Sequence, residues 1–257
     1  MKILMLIASL ALAACSPSPP SAGPADAAHS SRDALDWPGT YIGTTLCADC
    51  EGVRTTLTLE REGTFSRERN YLGKSASPMQ DAGSFSWDAA GTVITLALEP
   101  DSSQQYRVAE HRLLHLDRMG LPITGALAGR YVLEQTKQDP RIEDRRWLLT
   151  EVMGRPVEAA DMPKEPFILF DSARRRVSGN ASCNQFFGGY ALLAGNRVRM
   201  LGSLGATRMA CPDMRVEAAF LEALETVDNY AVDGERLTFS RARMAPALVF
   251  ERSSDSN

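Results

Sequence analysis

Val53, Thr55, Leu57 and Leu59 alternate with Arg54, Thr56, Thr58 and Glu60. A two-residue rhythm puts every second side chain on one face and specifies a half-buried strand rather than a helix. Glu62-Gly63 then makes a turn, and residues 64–72 read as the hairpin partner. Residues 83–87 pair in the same way with 92–98, and strands at 105–110 and 113–117 follow. No segment in this region carries a convincing helical period. Many short antiparallel strands in sequence predict a meander, which removes its exposed edges by closing into a barrel.

After residues 131–133 comes a polar, charged stretch, 134–146, with Pro140, which reads as a domain boundary. A second series of strands follows at 147–152, 167–171, 176–179, 186–193 and 197–201, and 230–232, 237–240 and 248–251 close it. One helix interrupts the series. Val216, Phe220, Leu224 and Val227 recur at helical spacing, with Met214, Ala218 and Leu221 beside them. Pro212 and Asp213 suit a first turn. The apolar stripe is the packing face of that helix. The fold class is therefore mainly β with one main helix.

The amino terminus reads as an address. Lys2 precedes an apolar run over residues 3–13, broken only by Ser9. That run falls short of the roughly 20 residues a spanning helix needs and fits the core of a secretory signal. It ends Leu12-Ala13-Ala14-Cys15, which resembles the lipobox of bacterial lipoproteins. The resemblance implies a signal peptide over 1–14, cleavage before Cys15, lipidation of Cys15 and attachment to the membrane through that lipid anchor. Ser16, in place of Asp, implies onward transport to the periplasmic face of the outer membrane. Residues 15–36 then read as a flexible tether, rich in proline at Pro17, Pro19, Pro20 and Pro24. His29 is a solvated bystander there.

Composition excludes several classes. Lys plus Arg is 28 against 32 for Asp plus Glu, a formal charge of −4, the wrong balance for a protein that coats nucleic acid. Only 3 histidines are present, too few for a multi-histidine metal cage. The motifs G-x-S-x-G, H-E-x-x-H and a phosphate-binding glycine loop are missing, so nothing points to an enzyme.

Beyond Cys15, four cysteines remain: Cys47, Cys50, Cys183 and Cys211. In an oxidising compartment two disulfides are the default, and the simplest pairing keeps each inside its own module. Closing the Cys183–Cys211 loop is worth about 3.6 kcal/mol on the chain-entropy model, closing Cys47–Cys50 only about 1.9. Cys47-Ala48-Asp49-Cys50 thus has room for another role. It reads as a structural staple, as a soft Cu(I) or Zn site through both thiolates, or as a redox pair, although strand residues flank it rather than a helix start.

Other candidates read as structural. His111 and His115 would lie about 13 Å apart on a strand, too far to share an ion. Arg174, Arg175 and Arg176 form a solvated face beside a turn. Met200, Met209 and Met214 fall among core positions.

Two families are similar to parts of the chain. "GTTLCADCEGVRTTLTL", from Gly43, and "LDRMGLPITGALAGRYVL", from Leu116, resemble the NlpE N-terminal domain of bacterial outer-membrane lipoproteins. "WLLTEVMGRPV", "FILFD", "VSGNASCNQFFGGY" and "ATRMACPDMRVEAAFLEAL" resemble the META/HslJ domain. The first likeness implies a small lipocalin-like barrel over 37–135 with Cys47 and Cys50 at its mouth. The second implies an α+β module over 147–252 without a known catalytic site. Together they imply a non-enzymatic lipoprotein of the envelope stress response and copper homeostasis, with copper as the metal. Its partners would be an envelope stress sensor or the lipoprotein-trafficking machinery. Two alternatives stand beside this: a barrel enclosing a small apolar molecule, and thiol-disulfide exchange at Cys47 and Cys50.

Overall fold

The structure is a computed structural model and describes residues 30–74, 77–98, 102–158 and 162–253. The signal peptide, Cys15 and the tether as far as His29 lie outside the described residues. Among the described residues, no helix is long and apolar enough to cross a membrane.

Eight strands build the first module: β1 (Gly39–Thr45), β2 (Gly52–Leu59), β3 (Thr64–Leu72), β4 (Met79–Trp87), β5 (Val93–Leu98), β6 (Ser102–Ala109), β7 (Arg112–His115) and β8 (Val132–Lys137). Each pairs antiparallel with the next. Tyr41 and Ile42 of β1 pair with Gln135 and Glu134 of β8, so the barrel closes. The turn between β2 and β3 needs Gly63, whose φ is 87°, a region that L side chains seldom enter.

The barrel interior divides in two. One half is packed by its own aromatic and aliphatic side chains, including Tyr41, Leu57, Phe65, Phe85 and Ile94, each buried. Trp37 seals that end, edge-on to Phe85 at 5.8 Å and to Trp87 at 5.3 Å. The other half, toward the β1–β2 loop, is polar: Arg67, Arg69, Tyr106 and His115 share it.

The segment just before Trp37 departs from the expected tether. Ser30 caps a four-residue helix, α1 (Ser31–Ala34). Its Ser31 hydroxyl donates to the Val108 carbonyl at 2.8 Å, and the Arg32 N–H to the Gly91 carbonyl at 2.9 Å. The Trp37 indole N–H donates to the Arg32 carbonyl at 3.0 Å. Residues 30–36 are thus built onto the barrel rim.

The second module holds β9 (Arg146–Val152), β10 (Arg155–Pro156), β11 (Phe167–Asp171), β12 (Arg176–Asn180), β13 (Gln185–Leu193), β14 (Arg197–Ala206), β15 (Asn229–Asp233), β16 (Arg236–Ser240) and β17 (Pro246–Arg252). β9 pairs with β11 on one side and β17 on the other. The sheet therefore also curls round on itself, joined most thinly where β14 meets β15 through Arg197 and Asn229. Helix α2 (Arg215–Thr226) packs on β9, β14 and β17. Its Phe220 stacks edge-on against Phe186 at 5.5 Å and lies 5.8 Å from Phe250, which continues to Phe239. The stripe at Phe220, Leu224 and Val227 is buried as its spacing predicts, whereas Ala218 faces solvent.

The polar stretch between the modules is structured. β8 runs through Glu134 to Lys137 and pairs with β13 as well, through Thr136 to Leu193 and Lys137 to Leu192. Ile42, Ala191 and Leu193 form a small apolar cluster between the modules. Burial raises the Glu134 carboxyl, but Arg197, at 2.5 Å, and Arg199 outweigh it and hold it below its ordinary range. Ile142 joins the second core.

Asp139, also in this stretch, is buried yet fully engaged. Arg141 Nε donates to it at 2.9 Å, Arg141 Nη2 at 2.7 Å and the Tyr230 hydroxyl at 2.7 Å. The Arg141 guanidinium, working against burial and helped by Tyr230, holds this carboxyl well below the usual carboxylate range. Acidification therefore protonates the unfolded chain first. The stabilisation is present above about pH 4 and is lost as the pH falls toward the depressed value. Asp139→Asn is expected to cost about 2 kcal/mol at neutral pH and to flatten the loss of stability between about pH 5 and 2. Urea midpoints measured across that range check it, and the same acid dependence in both proteins would refute it.

Candidate functional site at the barrel mouth

The loop joining β1 to β2 carries Cys47, Asp49 and Cys50. Gly52 starts β2 at a φ of 155°, and a Cβ there would come within 2.8 Å of Thr44 Cγ2. The close approach of the two strands explains a glycine two residues after the second cysteine. The Glu51 N–H donates to the Leu72 carbonyl at 3.2 Å, which ties the loop to β3 as well.

Cys47 and Cys50 are joined as a disulfide with their Cα atoms 5.3 Å apart. Both are partly exposed, and Ala48 and Asp49 between them face solvent. Asp49 receives Lys74 Nζ at 2.5 Å. That hydrogen bond and the lysine charge hold the Asp49 carboxyl below its usual value. The carboxylate also lies 3.4 Å from Cys47 Sγ. The donor atoms of Cys47, Asp49 and Cys50 all fall within 4.8 Å of one another, a grouping compact enough for a metal ion. Two sulfurs and one carboxylate suit a soft or borderline cation once the disulfide is open. The loop contains no helix, so the helix-end activation typical of thioredoxin-like cysteines is missing.

The second pair, Cys183 and Cys211, is also a disulfide, with Cα atoms 6.2 Å apart. Cys183 is buried. The bridge ties the loop after β12 to the loop before α2. Around it lies a network that residue spacing did not announce. Glu217, buried in the first turn of α2, receives the N–H groups of Cys183 at 3.0 Å and Asn184 at 2.8 Å, and Asn184 Nδ2 at 2.7 Å. Asn184 Oδ1 in turn receives the Thr207 hydroxyl and the Met209 N–H, both at 2.7 Å. Gly179 has no room for a side chain, since a Cβ would sit 2.1 Å from the Phe167 carbonyl oxygen. The "GNASCNQ" segment is thus a structural corner.

The remaining candidates separate. His111 sits in the exposed β6–β7 turn at a φ of 55°, while His115 points into the barrel, so the two do not meet. Arg174, Arg175 and Arg176 are exposed as expected; Arg175 also donates to the Thr136 hydroxyl at 2.7 Å, across the module boundary. Met200 packs against the second core. Met209 and Met214 do not join it and are 52% and 36% exposed. The backbone around Met209 is held by Asn184, which turns its side chain outward.

Comparisons with known proteins divide the chain in the same way. A family model for the NlpE N-terminal domain matches residues 41–126, and one for the META domain matches 140–254. Lipoprotein NlpE of Escherichia coli is 34% identical over 97 residues, which is 38% of this chain. The chain spans 40% of that relative's length. Among solved structures, a putative lipoprotein from Shewanella oneidensis is 44% identical, over 43% of this chain and 98% of that one, with a TM-score of 0.40. A protein from Burkholderia xenovorans is 28% identical, over 48% and 95%, with a TM-score of 0.38. The crystal structure of the Cpx pathway activator NlpE from Escherichia coli gives 20% identity over 60% and 84%, and a TM-score of 0.32.

Proposed function

From a chain that joins an NlpE N-terminal domain to a META domain, we propose a non-enzymatic, lipid-anchored envelope lipoprotein that reports on redox and copper status. Lipidation at Cys15 places it on the periplasmic face of the outer membrane. Its domains run over 37–135 and 147–252, and its partner is an envelope stress sensor. The observation that carries the reading is the partly exposed Cys47–Cys50 pair at the barrel mouth, with the exposed Asp49 beside it. In oxidising surroundings the pair is a closed loop. A dithiol reductant delivers two electrons and two protons, the S–S bond breaks, and two thiols result. As thiolates, Cys47 and Cys50 are soft donors suited to Cu(I), with Asp49 as a further ligand. Failing disulfide formation and excess copper would then act at the same place.

Replacing both residues, Cys47→Ser with Cys50→Ser, is expected to keep the fold and lower stability by no more than about 2 kcal/mol. Copper tolerance and stress output should fall. Circular dichroism, growth on copper and a stress reporter decide the matter. A folded double variant with unchanged copper tolerance and unchanged stress output would reduce the pair to a loop staple.

A further inference from the structure

Beneath the cysteine loop the barrel carries a second feature that the proposed function does not use. A cavity of about 160 Å³ opens among Thr45, Arg67, Arg69, Tyr71, Tyr106 and His115. Thr45 stands two residues before Cys47, so the cavity lies directly under the mouth. Its lining includes two arginines and a histidine and no acidic side chain.

The charge there is not balanced. Asp81, on β4, is the carboxylate that answers both arginines: Arg67 Nε donates to it at 2.9 Å and Nη2 at 3.1 Å, and Arg69 Nη2 at 3.1 Å. Two guanidiniums against one carboxylate leave a net positive charge in the lumen, where the Arg67 side chain is only 6% exposed. Asp81 matches Arg67, so the surplus charge sits on Arg69, whose side chain is 28% exposed and only partly shielded from water, and an anion there would answer it. Two buried nitrogens also lack any hydrogen-bond partner, Arg69 Nε and His115 Nδ1. Burial, reinforced by the Arg67 charge, lowers the His115 pKa. Neutral imidazole with its proton on Nδ1 is a donor, as Arg69 Nε is. In that tautomer the two nitrogens are both donors, and two orphaned donors beside excess positive charge are the complement of an oxyanion.

We propose that the polar half of this barrel binds a small organic monocarboxylate, whose oxygens take the free donors of Arg69 and His115. One negative charge matches the one-charge excess. A volume near 150 Å³ accommodates a molecule the size of benzene, and Tyr71, Tyr106, Val53 and Leu133 offer the body of the ligand an apolar wall. The apolar molecule that a lipocalin-like barrel would suggest does not fit this reading, because the apolar half is already filled and the open half is cationic.

Benzoate is the probe, titrated into the full chain and followed by isothermal calorimetry and by the NMR signals of Arg69 Hε and His115. The expected result is saturable one-to-one binding, with both signals shifting, and no binding of the neutral ester methyl benzoate. Arg69→Gln keeps the Arg67–Asp81 pair and is expected to weaken benzoate binding at least tenfold; His115→Phe should weaken it several-fold. Circular dichroism verifies that both variants fold, and if either does not, the comparison of benzoate with its ester on the native chain decides. Equal binding of ester and acid, or undiminished binding by a folded Arg69→Gln protein, overturns the proposal. So does saturable binding of inorganic phosphate without any of benzoate, which would make the site one for inorganic oxyanions.

Discussion

Glu217→Ala is expected to destabilise the second module by about 4 kcal/mol. The carboxylate is buried at 4% exposure and receives three donors, the Cys183 and Asn184 N–H groups and Asn184 Nδ2. Truncation strands all three away from water. Each stranded donor costs about 1–3 kcal/mol, and more when its lost partner was charged. The costs do not add fully, because Asn184 can shift within its own network. Loss of a negative charge from the first turn of α2 contributes a few tenths more. Glu217→Gln should fall between, since its amide keeps one acceptor but turns an NH₂ toward a donor. Glu222→Ala, exposed on the same helix, should stay within about 0.5 kcal/mol. Urea unfolding followed through the amide signals of β12 and β13 measures the series. If Glu217→Ala matches Glu222→Ala, the carboxylate does not hold this corner.

That carboxylate also marks where reading residues along the chain stops working. β3 was legible to the residue, because Thr64 to Leu72 lies between a glycine turn and a second glycine. The stripe on α2 was legible because Phe220, Leu224 and Val227 repeat at the helical period. Glu217 was not, since its partners lie 33 and 34 positions away and a first-turn glutamate ordinarily faces water. The lumen failed for a related reason. Counting by twos from Phe65 puts Arg67, Arg69 and Tyr71 on the inward face, yet charge on a strand reads as outward unless its partner is known. That partner, Asp81, is set by the β3–β4 register, which the sequence does not print. The segment at Ser30 was a different kind of miss. Its proline-rich neighbours made it look like tether, while Ser30 and Asp33 carry the S-x-x-D spacing of a helix cap. The sharing of β8 between two sheets has no local signal at all, because the partners of Thr136 and Lys137, Leu193 and Leu192, lie in the other module.

Removing the Cys183–Cys211 bridge is the other change with a large expected effect. Cys183→Ala with Cys211→Ala should cost about 3.6 kcal/mol on the chain-entropy model, about twice the cost of losing Cys47–Cys50. The difference lies in the loops: 28 positions separate the one pair and 3 the other. Glu217 and this bridge fix the same corner, since the Cys183 N–H donates to that carboxylate. The combined variant should therefore lose less than the sum of the separate losses, by about 1 kcal/mol. Access also separates the bridges. In the second bridge Cys183 is 1% exposed and only Cys211 is partly exposed, whereas Cys47 and Cys50 both reach solvent, and a thiolate must reach a sulfur to attack it. A mild dithiol should therefore open the barrel-mouth loop while the second module stays closed. Alkylation read by mass spectrometry should show two labelled cysteines at low reductant and four only as the second module unfolds. Labelling of Cys183 and Cys211 first, or of all four together, would remove the physical basis for treating the mouth as the responsive site and the second bridge as its fixed counterpart.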